Sequence, residues 1–546
     1  MEPVHNFRTA LCLAQRNPRE AATALLADGW KARHDTEPLD IRAPINWLTA
    51  GGQDANWRFQ IHSWRLIDPL IVARDRTQKA GWSQYIVPVM LNWADAEALH
   101  GSDHPGTFWN DMGTGHRAAR LAYVLSLPEI NKRRNKALRM RLQAVGQAHV
   151  AKLREPAFFS LTNHGFFQVH GLMGLALTLP QTEESEAARD QARDMFRRLM
   201  RQQFGQDGVH LEHSPGYHGF ALRTLKQLLG SGWYDDLTDV IDIRDRALKA
   251  QPWFVFPNGR ISAIGDSSRR KSPPERISED PVAAKLFEEA GYAIVKSSPD
   301  VAPDDAFMLI VAAGHHSAMH KHADDLSFEL FDNGRYWVID SGRYTYSNSP
   351  VKNHMRSAAA HNSVDLIEER DDNGVRQTPP AGGMLSSLSR DGDTWVIKGA
   401  FDRPLFGVAH ERTFRYTPGR RLVLEDHIRC QRSRTVTAWL HLASDLSGKA
   451  LKRGWSLPGA SIRYESDLPI TLSRYRGAKN PMQGWSAPAY HRLEAIDALG
   501  ATLQGEEIRL RTVIEFGDLP PSRATPRSAA ERLMAVLNRV LFASRK

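Results

Sequence analysis

The hydrophobic pattern changes period near residue 290, and no single layer of structure accommodates both halves. Upstream, apolar residues recur at helical spacing in segments near 6–28, 83–99, 108–126, 129–152, 157–177, 183–201, 217–229 and 236–249. The breaks carry Gly and Pro, at Gly101, Pro128, Pro180, Gly205 to Gly208 and Gly230 to Gly232. Downstream, β-branched and aromatic alternation marks short strands near 306–312, 326–331, 336–339, 394–399, 413–416, 421–428, 435–442 and 508–516. A long helix series with short links predicts paired helices in a solenoid or closed toroid, and many short strands predict an antiparallel β-sandwich. No repeat of fixed period names a known solenoid. The expected organisation is α+β and multidomain: a helical domain over 1–290, a sandwich over 291–526, and a basic amphipathic helix over 527–546 that packs on the body or touches a partner or membrane. Ligand sites favour such junctions, so a cleft between the halves is the expected site.

A chain of 546 residues is too long for one core, and 42% hydrophobic with 24% charged residues is ordinary for a globular protein. Two cysteines, Cys12 and Cys430, exclude a disulfide framework and a cysteine-built zinc site. The net charge of +9 favours polyanions: nucleic acid, anionic lipid or acidic polysaccharide. The charge is dispersed, and no recognised nucleic-acid module accompanies it. No run reaches the length of a membrane-spanning helix. The first residues lack a basic stretch followed by an apolar one, so the reading is cytoplasmic, with a periplasmic location as the alternative. The sequence carries no signal for oligomeric state.

Six histidines crowd positions 314–364: His315, His316, His320, His322, His354 and His361. If His320-x-His322 is extended, both rings point to one face. Leu326, Phe328 and Leu330 alternate, Asp332-Asn333-Gly334 can turn, and the return strand ends at Asp340. Asp340 brings a carboxylate back towards the histidines, and His361 or its neighbour His354 adds a nitrogen. Two imidazoles and a carboxylate suit Zn²⁺.

Two motifs stand out in the helical half. Asn163-His164-Gly165 lies within the aromatic stretch FFSLTNHGFFQ, and Glu212-His213-Ser214-Pro215-Gly216-Tyr217-His218 joins a glycine-rich loop to a helix start. Elimination across a uronic acid needs a neutralised carboxylate, a base for the adjacent carbon-bound proton and an acid for the leaving glycosidic oxygen. An Asn amide serves the first need, and Tyr and His serve the others. No pair of acidic residues dominates, as a glycoside hydrolase would want.

These motifs, together with Gly265-Asp266, His320-x-His322-x-Asp324, Asp340-Ser341-Gly342 with Tyr344, and Ala360-His361-Asn362-Ser363, resemble in kind and order the heparinase II/III-like polysaccharide lyases. That group includes heparin and heparan-sulfate lyases and related alginate lyases. The resemblance spans about residues 105 to 365. It implies an incomplete (α/α) toroid followed by antiparallel sheets, acting by β-elimination on a uronate-containing acidic polysaccharide or oligosaccharide. It assigns carboxylate neutralisation to Asn163, helped by His164, the acid to Tyr217, and the base or charge stabiliser to His320. Glu212, His218, Asp266 and Tyr344 become substrate contacts. His322, Asp340 and His361 become the ligands of a structural zinc. Two other readings stand beside it. One is a zinc hydrolase using His320, His322 and Asp340 with Glu329 or Glu368 as base. The other is a non-catalytic binder of acidic glycans.

Overall fold

The computed structural model describes residues 11–13, 16–32, 36–50, 52, 54–317, 319–366 and 382–517. The expected helix over 527–546 and the alternative base Glu368 lie outside the described residues. The described chain forms two compact units. One holds positions up to Leu211 together with Tyr217–Gln251, and the other holds Glu212–Gly216 and the chain from Pro252 onward.

The first unit is helical. Its helices include Ser83–His100, Asp111–Ser126, Lys136–Leu153, Gly165–Thr178, Glu183–Gln203 and Thr238–Ala250. Asp111–Ser126 is buried along almost its whole length and starts at Asn110, whose Oδ1 accepts from Gly113 N at 2.7 Å. It lies against Gly165–Thr178 so closely that a Cβ on Gly115 would sit 2.3 Å from the carbonyl carbon of Phe167. Glu183–Gln203 opens on a capping box between Thr182 and Ser185 and buries Ala188, Ala192, Phe196 and Leu199 on one face. The core also holds the Arg120–Asp68 ion pair at 2.8 Å, both side chains fully buried. Two helices begin later than their periodicity predicts. Over 129–135 the Asn131 and Asn135 amides bond the carbonyls of Leu125, Leu127 and Glu129, which holds a turn. Over 159–164 the chain is a loop, fixed where Gln168 Oε1 accepts from Ser160 N at 2.8 Å. That loop carries Asn163 and His164.

The second unit is built of antiparallel sheet. A five-stranded meander runs Val282–Phe287, Tyr292–Ser297, Met308–Ala312, Ser327–Asp332 and Arg335–Val338. The last hairpin turns at Asn333 and Gly334, both at positive φ (49° and 73°), as the Asp-Asn-Gly signal predicts. A larger sheet is centred on Arg421–His441 paired with Asp497–Phe516. The two strands expected at 421–428 and 435–442 are one, because a shift of register between Arg429 and Arg434 absorbs the polar interruption without ending the pairing. Phe328 meets Phe414 (5.6 Å between ring centroids) and Trp337 meets Phe516 (5.1 Å), so the sheets share one core as a sandwich.

The division falls after Gln251, earlier than the expected boundary near residue 290. The turn-rich stretch after Pro252 is tied to the sheets. The buried Lys296 ammonium donates to the carbonyls of Pro252 (3.0 Å) and Val255 (2.5 Å), and Glu329 Oε2 accepts from Ser262 Oγ (2.6 Å) and Ala263 N (2.9 Å). No helix among the described residues is long and apolar enough to cross a membrane.

Candidate functional site

His320 does not lie on an extended strand. It sits in a turn at φ 55°, and the two rings of His320-x-His322 meet at a single carboxylate instead of sharing a strand face. His320 Nδ1 donates to Asp266 Oδ2 at 2.6 Å, and His322 Nε2 donates to Asp266 Oδ1 at 3.0 Å. Burial alone would raise the Asp266 pKa, but the hydrogen bonds and charge of the two histidines hold it well below the usual carboxylate range. On the other side of the ring, Glu212 Oε2 lies 3.5 Å from His320 Nε2. Asp266 and Glu212, expected to touch substrate, flank the His320 ring, and Asp266 also lines the pocket beside it.

The turn carrying His320 is pinned by His213, which the sequence reading passed over. His213 Nδ1 donates to Met319 O at 3.1 Å, and His213 Nε2 accepts from His316 N at 2.9 Å. One nitrogen must donate and the other accept, so the ring is neutral, and burial together with the nearby Lys321 charge lowers its pKa to about 3. Ser267, next to Asp266, accepts from Gly216 N at 2.9 Å and exchanges a hydrogen bond with Ser214 Oγ at 2.9 Å. These bonds hold the 212–216 segment against the Asp266 loop within the sheet unit.

Above the pair opens a pocket of about 200 Å³ lined by Asp266, His320, His322 and Tyr344, with Lys352 and Arg356 at its wall. Tyr344, expected to touch substrate, is one of the residues lining this pocket. Beneath lies the proposed metal set. His361 Nδ1 donates to Asp340 Oδ2 at 2.8 Å, Gly342 N donates to Asp340 Oδ1 at 2.8 Å, and the His322 and His361 rings are 5.2 Å apart. His322 Nδ1 and His361 Nε2 are buried without a hydrogen-bond partner among the described residues. Among the described residues, though, no three histidine, cysteine or carboxylate groups already converge on one metal position.

In the helical unit, Asn163 is buried in the turn before Gly165–Thr178. His164 beside it donates from Nδ1 to Asp111 Oδ2 at 2.9 Å, each side chain 37% exposed. Asp111 is a second residue the sequence reading missed. Burial raises its pKa, but the His164 bond and charge bring it below the usual value. Tyr217 is the third residue of the helix Pro215–Leu229, half-buried and edge-on to Phe220 at 5.9 Å. His218, expected at the substrate, is turned into the helical core instead. It is fully buried, its Nδ1 accepts from His210 N at 3.1 Å, and its Nε2 donates to Ala247 O at 3.0 Å.

The described chain is thus a helical unit and an antiparallel sandwich unit, with His320 held between two carboxylates in the second. The chain belongs to the heparinase II/III family: residues 5–279 match the heparinase II/III N-terminus and residues 279–515 the heparinase II/III-like C-terminal region. It is 21% identical over 435 residues to a heparin-sulfate lyase of Pedobacter heparinus, a match covering 65% of this chain and 64% of that one. It is 23% identical over 244 residues to a heparin-sulfate lyase of Bacteroides stercoris, covering 37% and 35%. The chain thus spans less than two thirds of the length of either relative. Among solved structures, a heparinase III superposes with a TM-score of 0.75 at 16% identity, over 95% of this chain and 88% of that one. The chondroitin AC lyase of Streptomyces coelicolor superposes with a TM-score of 0.52 at 12% identity, over 97% and 85%. These likenesses establish the fold.

Proposed function

We propose that this protein is a polysaccharide lyase that cleaves a uronate-containing acidic polysaccharide by β-elimination. The observation that carries the reading is the Asp266–His320 hydrogen bond at 2.6 Å beneath a pocket walled by Lys352 and Arg356, in a chain of the heparinase II/III family. With Nδ1–H committed to Asp266, Nε2 is the nitrogen left to take a proton, and the Glu212 carboxylate 3.5 Å away would stabilise the imidazolium so formed. In the proposed reaction the Asn163 amide hydrogen-bonds the uronate carboxylate, with His164, oriented by Asp111, beside it. His320 Nε2 takes the proton from C5, the C4–O bond breaks as the C4=C5 double bond forms, and the Tyr217 hydroxyl gives its proton to the departing oxygen. The carboxylate gains negative charge as C5 loses its proton, so cations and amide donors at the site lower the barrier. The pocket lies below the roughly 300–1,000 Å³ usual for drug-sized ligands, which suits one sugar unit of a longer chain.

His322, Asp340 and His361 would hold a zinc ion, supported by the two unpartnered buried nitrogens and the buried carboxylate. Bound there, the metal would supply rigidity beneath the turn that carries His320.

The test is incubation with heparan sulfate, heparosan, alginate, hyaluronan and chondroitin, reading the ultraviolet absorbance of unsaturated uronate and the product masses. Elimination yields fragments that gain no water, and Tyr217→Phe should lower the rate by about a thousandfold or more. Products that gain water would instead assign a hydrolase, and binding without any product would assign a glycan-binding protein. Either outcome removes the lyase reading.

A further inference from the structure

A second concavity, of about 630 Å³, opens on the sheet unit beside the His320 pocket, and Arg343 lines both. Its wall carries five guanidinium groups, on Arg260, Arg269, Arg270, Arg343 and Arg492, against one carboxylate, Glu494. Arg269 is neutralised by Glu329 at 2.8 Å, and Arg492 lies 4.0 Å from Glu494. Arg260, Arg270 and Arg343 have no carboxylate partner among the described residues. Arg260 donates to a backbone carbonyl, that of Arg269, at 3.2 Å, and Arg343 Nε is buried with no hydrogen-bond partner. Like charges gathered without counter-charges repel one another, and an anion in the groove relieves that repulsion.

Aromatic rings run between the two concavities. Tyr346 lies 6.3 Å from His320 and 6.0 Å from Tyr490, and Tyr490 stacks on His491 at 4.3 Å. The Arg343 guanidinium covers both tyrosines, at 4.7 and 5.4 Å from their ring centroids. This row is fixed by backbone bonds. Ala487 N donates to Ser341 O at 2.7 Å and His491 N to Tyr344 O at 2.9 Å, which stitches the 485–495 hairpin to the 341–346 segment.

We propose that this groove is a second anion subsite. Arg260, Arg270 and Arg343 would take a sulfate or carboxylate of an acidic polysaccharide whose reacting sugar lies over His320. The inference rests on the lyase reading and adds that the chain is gripped beyond the reacting sugar. A guanidinium matches both anions bidentately.

The test is the affinity of fluorescent octasaccharides of heparan sulfate and of unsulfated heparosan for the full chain in the Tyr217→Phe background, where turnover is suppressed. Arg260→Gln/Arg270→Gln should weaken binding about tenfold at low salt and flatten its salt dependence. Arg415→Gln/Arg429→Gln removes the same charge from exposed sites paired with Glu425 and Glu411, and should change affinity less than about twofold. Loss with heparan sulfate alone assigns a sulfate, and equal loss with both assigns a carboxylate. Arg270→Gln by itself, at an exposed position, shows the same direction should the double variant unfold. An unchanged affinity, or equal loss in the control pair, overturns the subsite. A single-stranded DNA octamer bound as tightly, and lost with the same variants, overturns the polysaccharide as its occupant. If the unsubstituted protein makes no unsaturated product while arginine-dependent octasaccharide binding persists, the lyase reading falls and the subsite stands.

Discussion

Asp266→Asn is the most informative single substitution in the sheet unit. The asparagine keeps the shape but replaces one carboxylate oxygen with an amide that donates. Asp266 accepts from two imidazoles, at 2.6 Å from His320 Nδ1 and 3.0 Å from His322 Nε2, so one of those N–H groups must then face another donor. A hydrogen bond to a charged group contributes about 1.5–3 kcal/mol, and a factor of ten in rate corresponds to about 1.4 kcal/mol. Loss of the His320 bond therefore predicts a fall of about ten- to a hundredfold in kcat. If the ring also adopts the other tautomer, so that Nε2 carries the proton and cannot accept one, the loss grows to about 10⁴-fold, the size seen when a triad aspartate is made neutral. The assay is the initial rate of unsaturated-uronate formation over a range of substrate concentrations, with the imidazole nitrogen shifts of His320 read by NMR. We expect kcat to fall, KM to stay within about threefold and the His320 nitrogens to exchange roles. Full activity in the variant refutes the positioning role. Lost activity with an unmoved His320 signal refutes the tautomer argument even if the site is disturbed.

Burial lowers the pKa of His149, His213 and His218 to about 3 and of His62, His410 and His441 to about 4. The unfolded chain binds protons at these sites near pH 6.5 and the folded chain does not, so stability is full above pH 6.5 and is lost on acidification at about 1.4 kcal/mol per histidine per pH unit. Tm should be flat above pH 7 and fall steeply between pH 6 and 4. A Tm that holds to pH 4.5 contradicts the assignment of these rings as neutral. Zinc analysis of the purified protein should find one ion per chain, and stripping it or substituting His361→Ala should lower Tm. Metal-free protein whose Tm does not respond to added zinc sinks the zinc proposal. Gly115→Ala puts a methyl group 2.3 Å from the Phe167 backbone and forces two central helices apart, at a cost of about 1–3 kcal/mol or more. An unchanged Tm would mean that the two helices are not packed this closely.

Elements whose cause is local were legible in the sequence. Helical spacing marked Ser83–His100 and Glu183–Gln203 almost to the residue, and Asp332-Asn333-Gly334 marked a hairpin because only that turn chemistry tolerates two successive positive φ values. Features set by distant partners were not. The stretch from 252 to 281 has no periodicity, and its place with the sheets depends on Lys296 and Glu329. His320-x-His322 looked like a strand by alternation, yet the pull of Asp266 on both rings, from more than fifty positions away, requires a turn. Asp111 carries no motif of its own, and its contact with His164 spans more than fifty positions. His213 could have been found: a histidine next to Glu212 in a motif already singled out was a candidate, but nothing in the sequence says that both its nitrogens bond backbone groups.

The motif from Glu212 to His218 runs from the sheet unit into the helical unit. Glu212 flanks His320, His213 pins the turn that carries it, and Ser214 bonds the loop of Asp266, all in the sheet unit. His218 anchors the far end of the motif in the helical core through His210 and Ala247. Between these anchors stands Tyr217. Five peptide bonds separate it from Glu212, and an extended chain gains at most about 3.6 Å per residue, so their Cα atoms can never be more than about 18 Å apart. The proposed acid is therefore tethered covalently to the residue that flanks the proposed base. A flexible insertion between Gly216 and Tyr217 would lengthen that tether while leaving every bond around His320 in place. Such an insertion should abolish elimination and preserve octasaccharide binding to the sheet unit. Retained activity would show that Tyr217 does not act with His320 on one sugar.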